Sequence, residues 1–165
     1  MPTTVSLAER LCATLEQERA DFMPALTAAS AETLDRKGVV GQWSVKNVLA
    51  HLAAWELVAV QVLSERLETG QTPEIMSTIS ADMDAWNAMQ VDEVEDLSPE
   101  DQLVEFEWTR SLLLQYLASL DDATLAKAKP WSGWDGTVAE YVLEAICAHE
   151  RAHADQVLAG LAAAG

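Results

Sequence analysis

The positions of the histidines constrain this chain more tightly than any other feature of its sequence. Three are present, and two of them, His149 and His153, lie four residues apart in a helical segment near the C-terminal end. On an α-helix this spacing places both imidazoles on one face, one turn apart, where a single ion can bind to both. The third, His51, lies far upstream in another helical segment. We therefore predict a fold that brings His51 to the His149–His153 pair.

Length and composition favour one compact helical domain. Half of the 165 residues are hydrophobic, and the chain has 7 glycines and 5 prolines, which is typical of a helical protein large enough to bury a core. No stretch rich in Gly, Pro or Ser divides it, so we predict a single domain over residues 1–165. Cys12 and Cys147 have no metal-ligand spacing, and we expect reduced core thiols, with a disulfide between them as the alternative.

The charge balance is strongly acidic. The 10 Lys and Arg residues against 27 Asp and Glu residues give a formal net charge of −17. Such a surface repels phosphate groups, so we expect neither nucleic acid nor an anionic membrane as a partner. Residues 1–10 lack the basic flank and the apolar core of a signal peptide, and we expect a cytoplasmic protein.

The most apolar window, residues 45–63, needs to be tested as a membrane span. Polar and charged side chains interrupt it at five positions: Lys46, Asn47, His51, Glu56 and Gln61. A membrane-spanning helix does not carry this many polar side chains. We therefore predict that this window forms a buried helix of a soluble protein.

Two long segments in the first half of the chain combine helical periodicity with start signals. Ser6 and Glu9 form a capping box before the first helix, in which Pro24 is expected to kink or end the regular part. Ser44 is the predicted N-cap of a second helix that runs to about Glu68.

Two further helices have equally clear starts. Ser98-Pro99 opens the third helix, and Thr137 with Glu140 forms a capping box before the fourth. Elsewhere we expect a short helical turn and a glycine-containing loop over residues 30–41, and a short helix over residues 82–90 in an otherwise irregular connection. Four long helices predict an all-α four-helix bundle.

The third helix carries apolar side chains on two faces. Trp108, Leu112 and Tyr116 form a strip opposite its main apolar stripe, so we predict a homodimer interface here. Arg110 lies within the main stripe, which is unusual for a charged residue. It either forms a salt bridge to an acid on a neighbouring helix or holds a ligand carboxylate, and the sequence does not choose between the two.

All three histidines lie on apolar helix faces, where an imidazole needs a hydrogen-bond partner or a metal ion. Neutral imidazole is a good ligand for zinc, nickel, copper and iron. We therefore favour a site for one divalent metal ion over histidines that are merely satisfied core side chains. Three protein ligands leave an open position for water or substrate, as in catalytic zinc sites.

Other residues on these faces are candidates for a pocket or for the outer shell of the site. Asn47 and Trp55 lie one turn either side of the upstream histidine, and Gln156 shares the face of the histidine pair. We expect Gln156 to support a ligand by a hydrogen bond. Trp55, with Trp43 or Trp134, is a candidate wall of an apolar pocket, although core packing is the favoured interpretation for these tryptophans.

Residues 149–153 also match the H-E-x-x-H pattern, in which the glutamate of a metalloprotease activates a metal-bound water. Those enzymes take a third ligand from downstream, but neither His nor Glu follows His153. This pattern is therefore weak evidence for a protease. Glu150 lies at the edge of the predicted site, and a solvated or Arg151-paired carboxylate is at least as well supported as a catalytic one.

Three segments together resemble a known family. They are W-S-V-K-N-V-L-A-H-L-A-A-W-E at residues 43–56, D-A-W-N at residues 84–87 and H-x-x-x-H-x-x-Q at residues 149–156. The chain resembles the DinB-like four-helix-bundle superfamily over nearly its whole length, in particular the ClbS/DfsB branch. The resemblance implies a bundle with a long connection between helices two and three. It also implies one divalent metal ion, commonly zinc or nickel, bound by His51, His149 and His153.

The resemblance implies a function as well as a fold. The superfamily includes thiol-dependent S-transferases and isomerases that activate a low-molecular-weight thiol at such a metal. The ClbS/DfsB branch includes proteins that protect the cell from a DNA-damaging metabolite, and the histidine site is not always kept there. We expect a metal-dependent transferase or hydrolase that acts on a small molecule, in detoxification. The alternatives are a non-catalytic or metal-free protein that sequesters a toxic metabolite, and a bundle with purely structural histidines.

Overall fold

The computed structural model describes residues 5–164, and the regular elements of this part of the chain are helical. Met1–Thr4 and Gly165, which belong to the predicted domain, lie outside the described residues, as does part of the segment tested for a signal peptide. The elements are, in order, α1 (Leu7–Ala28), α2 (Ala31–Asp35), α3 (Val45–Thr69), α4 (Glu74–Ala81), α5 (Met83–Glu93), α6 (Pro99–Ala118), α7 (Asp122–Lys127), α8 (Val138–Tyr141), a π-helical segment (Val142–Cys147) and α9 (Ala148–Ala164).

The long helical segments form a bundle. Helix α3 packs along α6 over most of its length, and α1 contacts α6 on one side and α9 on the other. Contacts between α3 and α9 close the ring. Because α8, the π segment and α9 follow one another without a break, they act as the last long helix of the bundle. The predicted all-α fold is confirmed.

The predicted helix starts are found where the capping signals place them. Ser6 and Glu9 form a complete capping box at the start of α1. Ser44 caps α3, with Asn47 as the reciprocal partner. Helix α6 starts with Ser98 as its N-cap, and the capping box of Thr137 and Glu140 precedes α8.

Pro24 does not end the first helix, because α1 continues through it to Ala28. Proline costs an intrahelical hydrogen bond in such a position. Phe22 and Leu26, on either side of Pro24, are buried in the core, and their packing keeps the last turns of α1 helical.

The connection between α3 and α6 is more regular than expected. Two helices, α4 and α5, occupy most of it, whereas the sequence predicted one short helix over residues 82–90. Ile79 of α4 and Trp86 of α5 are buried against Val58 and Val62 of α3. Periodicity missed α4 because a two-turn helix that buries one side chain has no apolar stripe to detect.

Helix α3 is the central helix of the fold. Its length and composition would allow it to cross a membrane, yet 67% of its most apolar window is buried within the protein. This burial is the pattern of a core helix in a soluble protein, as the interrupted apolar run predicted. Cys12 and Cys147 are free thiols in this structure.

The predicted second face of α6 is only partly exposed. Trp108 is 54% exposed, but Tyr116 packs against the core cluster around Leu113 and Leu117. Homodimer formation through this face remains a prediction.

Gly160 is needed where α9 passes the loop that precedes α3. A Cβ atom at this position would lie far inside contact distance of the Val39 carbonyl oxygen, which is a backbone atom and cannot rotate away. The bundle therefore brings backbone against backbone at this point.

We predict that Gly160→Ala destabilises the protein by about 1–3 kcal/mol, because the added methyl group must displace the loop. In an ordinary helix interior the same change stabilises by about 0.5–1 kcal/mol. Urea unfolding followed by circular dichroism measures the difference. Ala159→Gly, at the neighbouring exposed position, serves as the control and should cost about 1 kcal/mol by helix propensity alone. A stabilising Gly160→Ala would contradict the close approach.

Candidate metal centre

The fold brings the three histidines together. His51 comes from α3, and His149 and His153 come from adjacent turns of α9. One ring nitrogen from each lies within 4.8 Å of the other two. Nε2 of His51 lies 3.0 Å from Nε2 of His149. We call this cluster the histidine trio.

The π segment directly before α9 sets the direction in which the trio points. A π turn takes one residue more than an α turn and so shifts the phase of the helix that follows. A single α-helical stripe from Val138 to Val157 would include Ala152 and Gln156, but both are exposed. The shifted phase instead buries Glu150 and leaves the two α9 histidines half-buried at the edge of the core.

Gln156 supports the trio from outside. Its Oε1 lies 2.9 Å from Nδ1 of His153, so the ring N–H donates to the carboxamide oxygen. With the proton held at Nδ1, the lone pair of His153 is on Nε2 and free to bind an ion. This is the geometry expected for a supporting residue, although the Gln156 side chain is exposed.

Asn47 acts on the helix and does not touch the trio directly. Its Oδ1 accepts hydrogen bonds from the Ser44 backbone N–H at 3.1 Å and from the Lys37 ammonium at 2.9 Å. It lies one turn before His51, as predicted, but its contacts hold the first turn of α3. Asn47 therefore affects His51 by anchoring the helix that carries it.

Burial keeps the imidazoles neutral. Desolvation lowers the pKa of His51 to about 3, the imidazoles of His149 and His153 act in the same direction, and Asn87 opposes them. Burial, then His153, lowers the pKa of His149 to about 4, with Glu150 in opposition. Burial also lowers the pKa of His153, against its hydrogen bond to Gln156. At neutral pH all three are in the form that binds metals.

The geometry of the trio fits a divalent ion. Zinc–nitrogen bonds of about 2.0–2.1 Å place tetrahedral ligand atoms about 3.3 Å apart. Nε2 of His51 and Nε2 of His149 are 3.0 Å apart, and the three ligand nitrogens all lie within 4.8 Å of one another, so these limits bracket this value. Nδ1 of His51 is buried without a hydrogen-bond partner, whereas its Nε2 faces Nε2 of His149.

An apolar cavity of about 450 Å³ opens onto His51 and His149. Trp55, Trp131, Trp134 and Tyr141 provide aromatic walls. Helices α4 and α5 add part of the lining, and among residues 5–164 no Asp, Glu, Lys or Arg side chain lines the cavity. Two of the candidate tryptophans, Trp55 and Trp134, are therefore wall residues. The third, Trp43, stacks near His51 with ring centroids 5.2 Å apart but lies outside this cavity.

Arg110 and Glu150 belong to a buried ion-pair network. Arg110 donates from Nε to Oε1 of Glu56 at 2.8 Å and pairs with Glu150 through its terminal nitrogen. Arg19 donates to Glu150 at 2.8 Å and to Glu56 at 2.9 Å. Thr109 donates to the remaining oxygen of Glu56 at 2.9 Å. We call Arg19, Glu56, Arg110 and Glu150 the charge network.

The contacts of the charge network show which of the two interpretations of Arg110 is right, and they correct the interpretation of Glu150 as a residue at the edge of the site. Arg110 is 4% exposed and forms salt bridges, so it is not free to hold a ligand carboxylate. Glu150 is 2% exposed and is neither solvated nor paired with Arg151, which binds Glu18 instead. Each oxygen of the Glu150 carboxylate is bound by a guanidinium group, so neither is free to take a proton from a metal-bound water, which removes the remaining support for a metalloprotease mechanism.

Burial lowers the pKa of Arg110, but the carboxylates of Glu56 and Glu150 outweigh it and raise the pKa overall. The guanidinium therefore stays charged in the core.

Arg19 and Glu56 were not predicted from the sequence as members of a site. The signal for Arg19 was present, because it lies between Leu15 and Phe22 on the apolar stripe of α1, as Arg110 does on α6. Two arginines on core stripes demand two buried acids. Glu56 was noticed only as an interruption of an apolar window.

The family comparison agrees with this architecture. The DinB superfamily matches residues 14–157, which is most of the chain. The chain belongs to the DinB superfamily. This match confirms the expected family membership. A separate comparison with curated proteins gives no significant match.

Two solved structures share the fold. One is the colibactin self-resistance protein ClbS in complex with a dsDNA, with a TM-score of 0.74, 12% sequence identity and coverage of 94% of this chain and 95% of that one. The other is an uncharacterised protein from Escherichia coli UTI89, with a TM-score of 0.70, 14% identity and coverage of 94% and 92%. At these identities the likeness shows a common fold.

The exclusion of nucleic acid as a partner was wrong. It rested on net charge alone, and ClbS, which has this fold, was crystallised in complex with dsDNA. Net charge averages over the whole molecule, whereas binding depends on the local distribution of charge.

We predict that Arg110→Met lowers the free energy of unfolding by about 3–5 kcal/mol, because it leaves two buried carboxylates short of a counter-charge. Arg151→Met is the control, because Arg151 is next to Glu150 in sequence but forms an exposed ion pair with Glu18. Its loss should lower the free energy of unfolding by less than about 1 kcal/mol. Urea unfolding of the two variants tests the contrast. Equal losses would contradict a buried network.

We also predict that the metal-free protein loses stability as the pH falls from about 6.5, the usual histidine pKa. Above it the imidazoles are neutral in the folded and unfolded states. Below it the unfolded chain takes up protons that the folded chain resists, since the folded pKa is about 3 for His51 and about 4 for His149. Unfolding free energies at pH 7, 6 and 5 measure the slope. His149→Gln should reduce it, and an unchanged slope would count against a neutral, buried trio.

Proposed function

We propose that this protein is a metal-dependent enzyme, a transferase or hydrolase, acting on a small and largely apolar molecule. The observation that carries the proposal is the position of the histidine trio at the wall of an uncharged, aromatic cavity. Three neutral imidazoles in this position are unnecessary for a bundle whose core is already apolar. Convergent ligands beside a cavity are what a catalytic metal site requires.

The trio is proposed to hold one zinc or nickel ion through His51, His149 and His153. With an open position, such an ion acts as a Lewis acid that makes water or a thiol nucleophilic at neutral pH. Gln156 holds the proton on Nδ1 of His153, and the charge network, through Glu150, holds the turn that carries His149. These residues position the ligands and take no direct part in the reaction.

The cavity side chains bind and orient the substrate. The tryptophan rings and methionines exclude water and favour an uncharged, flat molecule. Trp55 donates a hydrogen bond to Oδ1 of Asn87 at 3.1 Å, which fixes both side chains beside His51. Burial raises the pKa of Tyr141, so its phenol remains neutral against the substrate.

The chain's own thiols are unsuited to supply the nucleophile. Burial raises the pKa of Cys147 to about 11 and also raises that of Cys12. Neither lines the cavity. The proposed nucleophile therefore comes from solution, as water or as a low-molecular-weight thiol.

Detoxification in the cytoplasm, by a homodimer, is the setting we propose. The fold shared with a colibactin self-resistance protein supports a protective role. The same likeness favours a second candidate, a non-catalytic protein that binds a toxic metabolite or duplex DNA, because ClbS was crystallised with dsDNA. The two candidates differ in whether metal is required.

We predict that untagged protein purified without added metal contains about one divalent ion per chain by mass spectrometry, since three convergent imidazoles suit one ion. The His149→Ala variant should no longer bind the ion. Its activity towards 1-chloro-2,4-dinitrobenzene, assayed with and without 2-mercaptoethanol, should be at least tenfold lower. Gln61→Ala, an exposed change on α3, is the control.

Other outcomes identify the alternatives. Stoichiometric capture of a ligand, or DNA binding by fluorescence anisotropy, that is indifferent to chelator would favour the binding protein. A His149→Ala variant that changes only the melting temperature would favour purely structural histidines and overturn the proposal.

A further inference from the structure

A second cavity reaches the histidine trio from another side. It encloses about 550 Å³ and is lined by Trp43, His153, Gln156 and Ala159, with Gly41 and Gly160 at points where the wall carries no side chain. The described residues that line this second cavity are different from those that line the first.

The trio contributes to the lining of both cavities. His51 and His149 line the first cavity, and His153 lines the second. One ring nitrogen of each lies within 4.8 Å of the others, so the nitrogens are a point at which molecules from the two cavities can meet. Each cavity also has its own tryptophan beside the trio, Trp55 in the first and Trp43 in the second.

The two cavities differ in chemistry. The first is walled by aromatic rings and partly covered by α4 and α5, which suits an apolar molecule. In the second, Gln156 and Ala159 are exposed, so the space is open to solvent. Gln156 uses its Oε1 on His153, which leaves its amide N–H groups free to donate to a guest.

We propose that the trio is served from two sides: the first cavity holds the apolar electrophile, and the second admits a small hydrophilic nucleophile, water or a thiol. This inference rests on the proposed function. In the transfer, the nucleophile loses its proton to solvent through the open side and forms a bond to the electrophilic carbon. The bond to the leaving group breaks, and the leaving group takes the electron pair. Both reactants are bound at the same time, so the kinetics follow a ternary complex.

Two alanines allow each cavity to be filled separately. Ala145 lines the first cavity and Ala159 the second. The probes are 1-naphthol, measured by fluorescence, and 2-mercaptoethanol, measured by the visible spectrum of the cobalt-loaded protein. Ala159→Phe should weaken 2-mercaptoethanol binding at least tenfold and leave 1-naphthol binding within twofold. Ala145→Phe should do the reverse. If Ala145→Phe fails to fold, Ser80→Phe fills the first cavity from its exposed rim.

The opposite assignment, or equal loss of both probes in both variants, overturns two-sided access. If the wild-type protein binds no cobalt, the proposed function fails, and a metal-free measurement still decides the access routes. Modification by diethylpyrocarbonate, followed by mass spectrometry, should slow at least fivefold at His153 in Ala159→Phe and at His149 in Ala145→Phe. Unchanged rates at both histidines would also overturn the inference.

Discussion

The charge network is the interaction on which the rest of this structure depends. It takes one residue from each long helix of the bundle: Arg19 from α1, Glu56 from α3, Arg110 from α6 and Glu150 from α9. Burying four charges is expensive, so the network is weak evidence for stability in itself. Its two positive and two negative groups are satisfied together in this arrangement, which penalises any rotation or sliding of one helix against the others.

The charge network constrains the histidine trio because two of its members lie close to the histidines along the chain. Glu150 follows His149 directly on α9, and Glu56 lies just over one turn beyond His51 on α3. Fixing the two carboxylates in the core therefore fixes the rotation of the helices that carry the imidazoles. The π segment completes the effect, because its extra residue turns Glu150 inward and leaves the α9 histidines at the cavity edge.

Sequence reasoning predicted what depends on local signals and missed what depends on tertiary pairing. The caps at Ser6 and Ser44 and the meeting of the three histidines followed from spacing and side-chain chemistry. The π segment gave no signal, because periodicity assumes one helical pitch throughout. Glu150 was misread for the same reason, since a regular α phase puts it at the edge of the site. The partners of Arg110 were unreadable because nothing in a single sequence says which acid lies across the bundle.

The separation of charge from the cavity also explains how so acidic a protein can have a neutral site. The carboxylates of the described residues lie on the surface or in the charge network, and none of them lines the cavity beside His51 and His149. An ion bound by neutral imidazoles alone would retain its full positive charge, whereas carboxylate ligands would partly neutralise it. A site of this composition would favour activation of an anionic or deprotonating nucleophile. Glu150 lies behind His149 and is already balanced by Arg19 and Arg110, so it holds the His149 turn in place and would not weaken a Lewis acid bound by the trio.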